Sequence, residues 1–235
     1  MTAGYGYRLL VFDWDGTLVD SERRIVSCVR AAIAAVGAPA RSAAQIRDII
    51  GLGLREAVLA LFPGADERFV ASLIDAYRAC YLARDAEPSP PFPGVAEVIA
   101  SLHEAGYRLA VATGKSRRGL ERGFRETGLG RWFHASRCAD ESRSKPHPHM
   151  LLELMRELCV TSEETLMIGD TVYDLQMARS AGVDGLGLTC GVHEAARLRE
   201  QAPVALLSDL RQLPGWLART AGAGSSGRLA CGGRP

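Results

Sequence analysis

The sequence predicts an α/β protein: a doubly wound parallel sheet with a helical subdomain inserted after its first strand. Three features carry that reading. The apolar run Leu9 to Phe12 ends in acids and then Gly16, the pattern of a buried strand leading into a loop. Residues 19–89 then show helical periodicity with no convincing strand among them. From about residue 90 onward strands and helices alternate, which implies a parallel sheet covered by helices on both faces. The expected division is residues 1–18 and 90–218 for the core, 19–89 for the helical insertion, and 219–235 for a disordered, glycine-rich tail.

Within the insertion, Ile25, Val29, Ile33 and Val36 share one helix face, and Ser42 with Gln45 forms a capping box for the next helix. Further helices are expected at Arg55 to Phe62 and Glu67 to Arg84, separated by Gly51, Gly53, Pro63 and Gly64. The proline-rich segment Glu87 to Gly94 cannot continue a helix and reads as the linker back to the core. After it come a helix at Val95 to Ala105, a strand at Arg108 to Ala112, and helices at Arg117 to Thr127 and His149 to Leu158. A strand at Leu166 to Gly169, a helix at Tyr173 to Ala181, a strand at Gly185 to Leu188, a helix near Glu194 to Glu200 and a strand at Val204 to Leu207 complete the set.

A net charge of +1 gives no positive field to attract nucleic acid or an anionic membrane. No run of eighteen apolar residues occurs, and the N-terminal apolar run breaks at Asp13, so a cytoplasmic protein is expected. The six cysteines contain no CxxC pair and are expected to be buried, reduced thiols. Lysine usage is more telling. Lys115 and Lys145 are the only lysines among 28 basic residues, which marks places where a compact ammonium serves and a guanidinium fork does not.

Three expected strand ends present polar residues to one edge of the sheet: Asp13 and Asp15, then Thr113, then Asp170 with Asp174, with Lys145 in a loop between them. A single acid after a strand is ordinarily a helix cap. Four acids, a hydroxyl and a lysine at matching strand ends point instead to a site. Carboxylates suit magnesium, a hard cation that prefers oxygen ligands, and Asp13 and Asp170 are the candidate side-chain ligands.

Asp13-Trp-Asp-Gly-Thr-Leu resembles the first motif of the haloacid dehalogenase superfamily, DxDGT. Thr113 in Val-Ala-Thr-Gly-Lys is similar to the second motif, Lys145 followed by Pro146 to the third, and Gly169-Asp170-Thr-Val-Tyr-Asp174 to the fourth, GDxxxD. The motifs follow in family order within residues 7–217, and the helical insertion resembles the mobile cap of the subfamily containing phosphoglycolate phosphatases.

The resemblance implies a Rossmann-like core and a magnesium-dependent phosphatase that works through an aspartyl-phosphate on Asp13. Asp15 would be general acid and then general base, and its backbone carbonyl a third metal ligand. Asp174 would orient Lys145 or a metal-bound water. Thr113, the backbone at Gly114, and Lys145 would hold the phosphoryl oxygens. The expected partner is a small phosphorylated metabolite, 2-phosphoglycolate first, with Arg55 in the glycine-flanked segment Ile50 to Glu56 as carboxylate anchor and Arg24 as a second candidate.

Asp15 argues against carbon-attacking dehalogenases, which lack that residue, and residues 19–30 hold no histidine of the kind mutase relatives carry there. A pyrophosphatase or a sugar or nucleotide phosphatase would share every core motif. From another class, a non-catalytic phospho-acceptor or binding module would use similar ingredients. Trp14 reads as a packing residue, and Lys115 as a contact either to substrate or to a cap carboxylate. None of the five histidines is needed for this chemistry.

Overall fold

The structure is a computed structural model and describes residues 6–83 and 89–225, with side chains to residue 220. Its first strand, β1 (Leu9–Phe12), is followed by four cap helices, α1 (Glu22–Ala35), α2 (Ala43–Asp48), α3 (Leu54–Leu61) and α4 (Glu67–Leu82). The chain then runs through α5 (Val95–Glu104), β2 (Arg108–Thr113), α6 (Arg117–Thr127), β3 (Ala135–Cys138), α7 (His149–Glu157) and β4 (Thr165–Gly169). It ends with α8 (Val172–Ser180), β5 (Asp184–Leu188), α9 (Ala195–Arg199), β6 (Ala205–Leu207) and α10 (Leu213–Ser225).

The strands form one parallel sheet in the order β3-β2-β1-β4-β5-β6. β1 lies between β2 and β4 and is buried on both faces, which is why its four residues are all apolar. Leu10 and Phe12 pack with Ile99, Val111 and Ile168 on one face, while Leu9 and Val11 meet Met150, Leu154 and Met177 on the other. The strand order reverses its direction of growth beside β1, so the carboxyl ends of β1, β2 and β4 open onto a crevice where such sheets place their ligands.

The cap has a core of its own, built from Ile25, Val29 and Ile33 of α1, Ile46 of α2, Val58 and Leu61 of α3, and Val70 and Leu73 of α4. The Ser42–Gln45 capping box forms as the sequence predicts. Two crossings join cap to core side by side, with Asp20 N–H donating to Pro90 O (2.9 Å) and Phe92 N–H to Leu18 O (3.0 Å). The linker was expected from Glu87; its first residues, 87 and 88, lie outside the described residues. The cap rests on the core edge, where Gly53 N–H donates to Ser144 Oγ at 2.7 Å. A side chain at Gly114 would collide with the carbonyl oxygens of Gly51 and Leu52.

Three expectations need correction. Cys28 of α1 and Cys80 of α4 are joined in a disulfide with their Cα atoms 5.5 Å apart, so these two are not free thiols. Packing of α1 on α4 brings them together across 52 residues, a proximity that no local spacing signals. Of the other cysteines described, Cys138 is buried but Cys159 and Cys190 are exposed. The edge strand β3 is absent from the sequence reading because Ala-Ser-Arg-Cys has no apolar alternation and is mostly half-buried. The C-terminal helix α10 continues through residue 225, past the expected onset of disorder at 219. Leu213 and Leu217 anchor it in the core, and Trp216 stacks on Tyr7 at 6.1 Å, so tertiary packing overrides its glycines. Residues 226–235 lie outside the described residues.

Candidate active site

The end of β1 delivers Asp13, the end of β4 delivers Asp170, and the first turn of α8 delivers Asp174; all three are buried. One carboxylate oxygen from each lies within 4.8 Å of the others. Lys145 joins the cluster from the loop before α7, with Nζ 2.8 Å from Asp13 Oδ1 and 2.6 Å from Asp174 Oδ1. Trp14 N–H also donates to Asp13 Oδ1, at 2.6 Å. Asp170 accepts from Thr17 Oγ1 (2.6 Å) on one oxygen and from Val192 N–H (2.8 Å) on the other. Asp174 Oδ2 accepts from the backbone N–H (3.0 Å) and hydroxyl (2.8 Å) of Thr171, so this acid caps its own helix with one oxygen and holds Lys145 with the other.

Three buried carboxylates face one ammonium. Burial pushes the Asp13 carboxyl well above the usual range, Lys145 pulls it back, and Asp174 and Asp170 raise it again. Asp170 is pushed up to about 7 by burial and by Asp174, against the hydrogen bonds from Thr17 and Val192. Burial opposes the charge on Lys145, but Asp13 and Asp174 outweigh it and raise its pKa. The cluster is thus short of positive charge, and Asp13 Oδ2 is buried with no hydrogen-bond partner. A cation held by oxygen ligands fits both facts.

Asp15, two residues along, lies outside this cluster. Its Oδ1 accepts from Ser21 Oγ at 2.6 Å and lies 3.0 Å from Lys115 Nζ. Lys115 also donates to Tyr81 Oη of the cap at 2.8 Å and lies over that ring. Burial works against the Lys115 ammonium, yet Asp15 and the two tyrosines 81 and 77 raise its pKa above that of an ordinary lysine. Each of the chain's two lysines therefore pairs with one aspartate of the first motif. The carboxylate that Lys115 reaches belongs to the core and not to the cap, and the same side chain borders the cavity between the two.

Thr113 ends β2, buried, with its Oγ1 accepting from Lys115 N–H at 3.2 Å. Gly114 follows it on the floor of a cavity of about 340 Å³ between core and cap, bordered also by Asp13, Asp15 and Lys115. The structure does not bring the expected carboxylate anchors to that cavity. Arg55 is exposed and paired with Glu67, and Arg24 is buried against the Tyr81 ring, 4.2 Å away, donating to Tyr81 O at 2.6 Å. Trp14 packs edge-on to Phe124 at 5.2 Å. The sequence reading missed Thr17, Ser21 and Tyr81; Thr17 was within reach as the last residue of DxDGT, whereas Ser21 and Tyr81 follow no spacing rule.

Residues 10–188 match the haloacid dehalogenase-like hydrolase family. A Dickeya dadantii protein named Probable phosphatase IndB is 37% identical over 88% of this chain and 92% of its own length. A phosphoglycolate phosphatase of Pseudomonas syringae pv. tomato is 31% identical over 92% of this chain and 82% of its own. Among solved structures, a haloacid dehalogenase-like hydrolase from Bacteroides fragilis superposes with a TM-score of 0.81 at 28% identity, covering 88% of this chain and 99% of that one. With its motif residues gathered at the ends of three strands, this chain belongs to the haloacid dehalogenase-like hydrolases and is a phosphatase.

Proposed function

We propose that the chain is a magnesium-dependent phosphomonoesterase in which Asp13 attacks phosphorus and Asp15 moves the protons. The observation that supports this most is the contrast between two acids two residues apart. Asp13 faces the buried cluster of Asp170, Asp174 and Lys145, while Asp15 faces the cavity beside Ser21 and Lys115. In the first step an Asp13 oxygen bonds to phosphorus, the ester P–O bond breaks, and the leaving oxygen takes its electron pair and a proton from Asp15. In the second step water attacks the aspartyl phosphate, Asp15 takes a proton from that water, and the Asp13 carboxylate leaves with the electron pair of its P–O bond.

Thr113, the backbone N–H of Gly114 and the Lys145 ammonium bind the equatorial phosphoryl oxygens. Asp174 positions Lys145 for that task. Asp13, Asp170 and the backbone carbonyl of Asp15 would hold magnesium, which supplies charge neutralisation to the phosphoryl group. The substrate is a small phosphorylated metabolite, for which the names of several relatives supply 2-phosphoglycolate; pyrophosphate and sugar or nucleotide phosphates would meet the same core residues. No helix among the described residues is long and apolar enough to cross a membrane. The Cys28–Cys80 disulfide removes the cysteine argument for a reducing setting.

The test is rapid-quench capture of the intermediate. Asp13→Asn should release no phosphate from p-nitrophenyl phosphate and form no phosphoenzyme, a loss of at least about 10⁴-fold. Asp15→Asn should accumulate an acid-stable, hydroxylamine-labile phosphoenzyme or form it slowly. A phosphoenzyme in Asp13→Asn would sink the assignment, and a wild type that releases no phosphate would favour the binding-module alternative.

A further inference from the structure

The cap side of the cavity carries information about the leaving group. Its walls are mostly apolar: Ile25 and Val29 of α1, Ile50 of the loop before α3, Leu54 and Val58 of α3, and Ile74 of α4, beside Tyr77 and Tyr81 of the same helix. The floor is Asp13 and Asp15, so space beyond the ester oxygen opens directly onto these side chains. Protein interiors are close-packed, and a cavity of about 340 Å³ between core and cap is not a packing detail. It falls at the lower end of the range of small-molecule sites, about 300–1,000 Å³.

Three of the charges near this wall are already committed. Lys115 is paired with Asp15 and Tyr81. Arg24 is taken by Tyr81, and Arg55 by Glu67. Arg78 and Arg118 border the cavity but are exposed, which puts them at its opening. The carboxylate of 2-phosphoglycolate sits one carbon from the ester oxygen, so it would lie near the floor beside Lys115, which is already paired with Asp15, away from the arginines at the opening, while leaving most of the volume empty. A buried charge without a partner is disfavoured, whereas apolar surface placed there is stabilised by leaving water.

We infer that the preferred substrate is a phosphomonoester whose alcohol part is uncharged, apolar and about the size of an aromatic ring, held by the cap cavity. This rests on the phosphomonoesterase reading above and narrows its substrate class. The wall residues named here are specificity residues, since they touch the leaving group and not the phosphoryl group.

The experiment compares kcat/KM, with magnesium, for methyl to hexyl phosphates, phenyl phosphate and 2-phosphoglycolate. The expected result is a rise of about three- to fourfold per methylene until the cavity fills, with phenyl phosphate at least tenfold ahead of 2-phosphoglycolate. A flat alkyl series, or 2-phosphoglycolate in front, overturns the inference and leaves the core mechanism standing. If no substrate releases phosphate, the mechanism fails and the inference is read by calorimetry with non-hydrolysable ligands. Hexylphosphonate binding more tightly than phosphonoacetate then supports it, and the reverse order overturns it. Narrowing the cavity with Val58→Phe should lower kcat/KM for phenyl phosphate at least tenfold more than for methyl phosphate; equal losses count against it.

Discussion

The core side and the cap side of the cleft are both shielded from solvent, yet burial has a different meaning in each. On the core side it concentrates charge: Asp13, Asp170, Asp174 and Lys145 are each at most 1% exposed. Each acid is fixed by a partner from another element or by its own helix cap. On the cap side burial encloses space walled mostly by Ile, Val and Leu, with Tyr77 and Tyr81 beside them. The core is therefore specified by which groups meet, and the cap by how much room remains. Substitutions in the core should affect every phosphoester alike, whereas substitutions in the cap should divide one leaving group from another.

The largest effect expected beyond that of Asp13→Asn is at Asp170. Asp170→Ala removes the acceptor for Thr17 and Val192 and one of the oxygens offered to a cation. It should lower kcat/KM by at least about 10²-fold and raise the magnesium needed for half-maximal rate. Phosphate release titrated against magnesium checks this, as does reversible inactivation of the wild type by chelator. The loss should be equal for methyl phosphate, phenyl phosphate and 2-phosphoglycolate. A loss confined to one of them would break the division between core and cap.

That division also explains what could be read without a structure. Asp13, Thr113, Asp170 and Asp174 were legible because parallel strands all end at the same edge, so residues placed just past three apolar runs converge whatever the intervening sequence, whereas Lys145, in the loop before α7, stood out as one of only two lysines. The cavity was not legible, because Ile50, Val58 and Ile74 look like any core residues and a void left between side chains has no sequence signature. Tyr81 escaped for a related reason: it lies at the end of a cap helix whose meeting with Lys115 depends on how the cap is seated. The Arg55 anchor was a plausible inference from glycines beside a helix start, but helix phase turns Leu54 toward the cavity and Arg55 away from it.

The next effect concerns the cap as a unit. The Cys28–Cys80 disulfide closes a loop within the cap, and removing it in Cys28→Ser/Cys80→Ser should destabilise the cap by about 2–4 kcal/mol. All three tryptophans, Trp14, Trp132 and Trp216, pack in the core. Tryptophan fluorescence therefore follows core unfolding, while helical circular dichroism includes the cap. In urea, the variant should show a dichroism change that precedes the fluorescence change. Two coincident transitions shifted together would mean that cap and core unfold as one body, and the comparison would then hold for chemistry and not for stability.

The smallest effect is expected at Arg55, and its smallness is informative. The Arg55 side chain is 51% exposed and its partner Glu67 76% exposed, a setting in which an ion pair contributes about 0–1 kcal/mol. Arg55→Ala should change stability by no more than about 0.5 kcal/mol and kcat/KM for 2-phosphoglycolate by no more than about twofold. Phenyl phosphate serves as the internal control, because it has no carboxylate for a guanidinium to hold. A tenfold loss on 2-phosphoglycolate with phenyl phosphate unchanged would return Arg55 to the site. It would require the first turn of α3 to rotate or α3 to shift when substrate binds, since Leu54 now holds the position facing the cavity. Unchanged rates on both substrates would leave the aliphatic wall as the part of α3 that meets the leaving group.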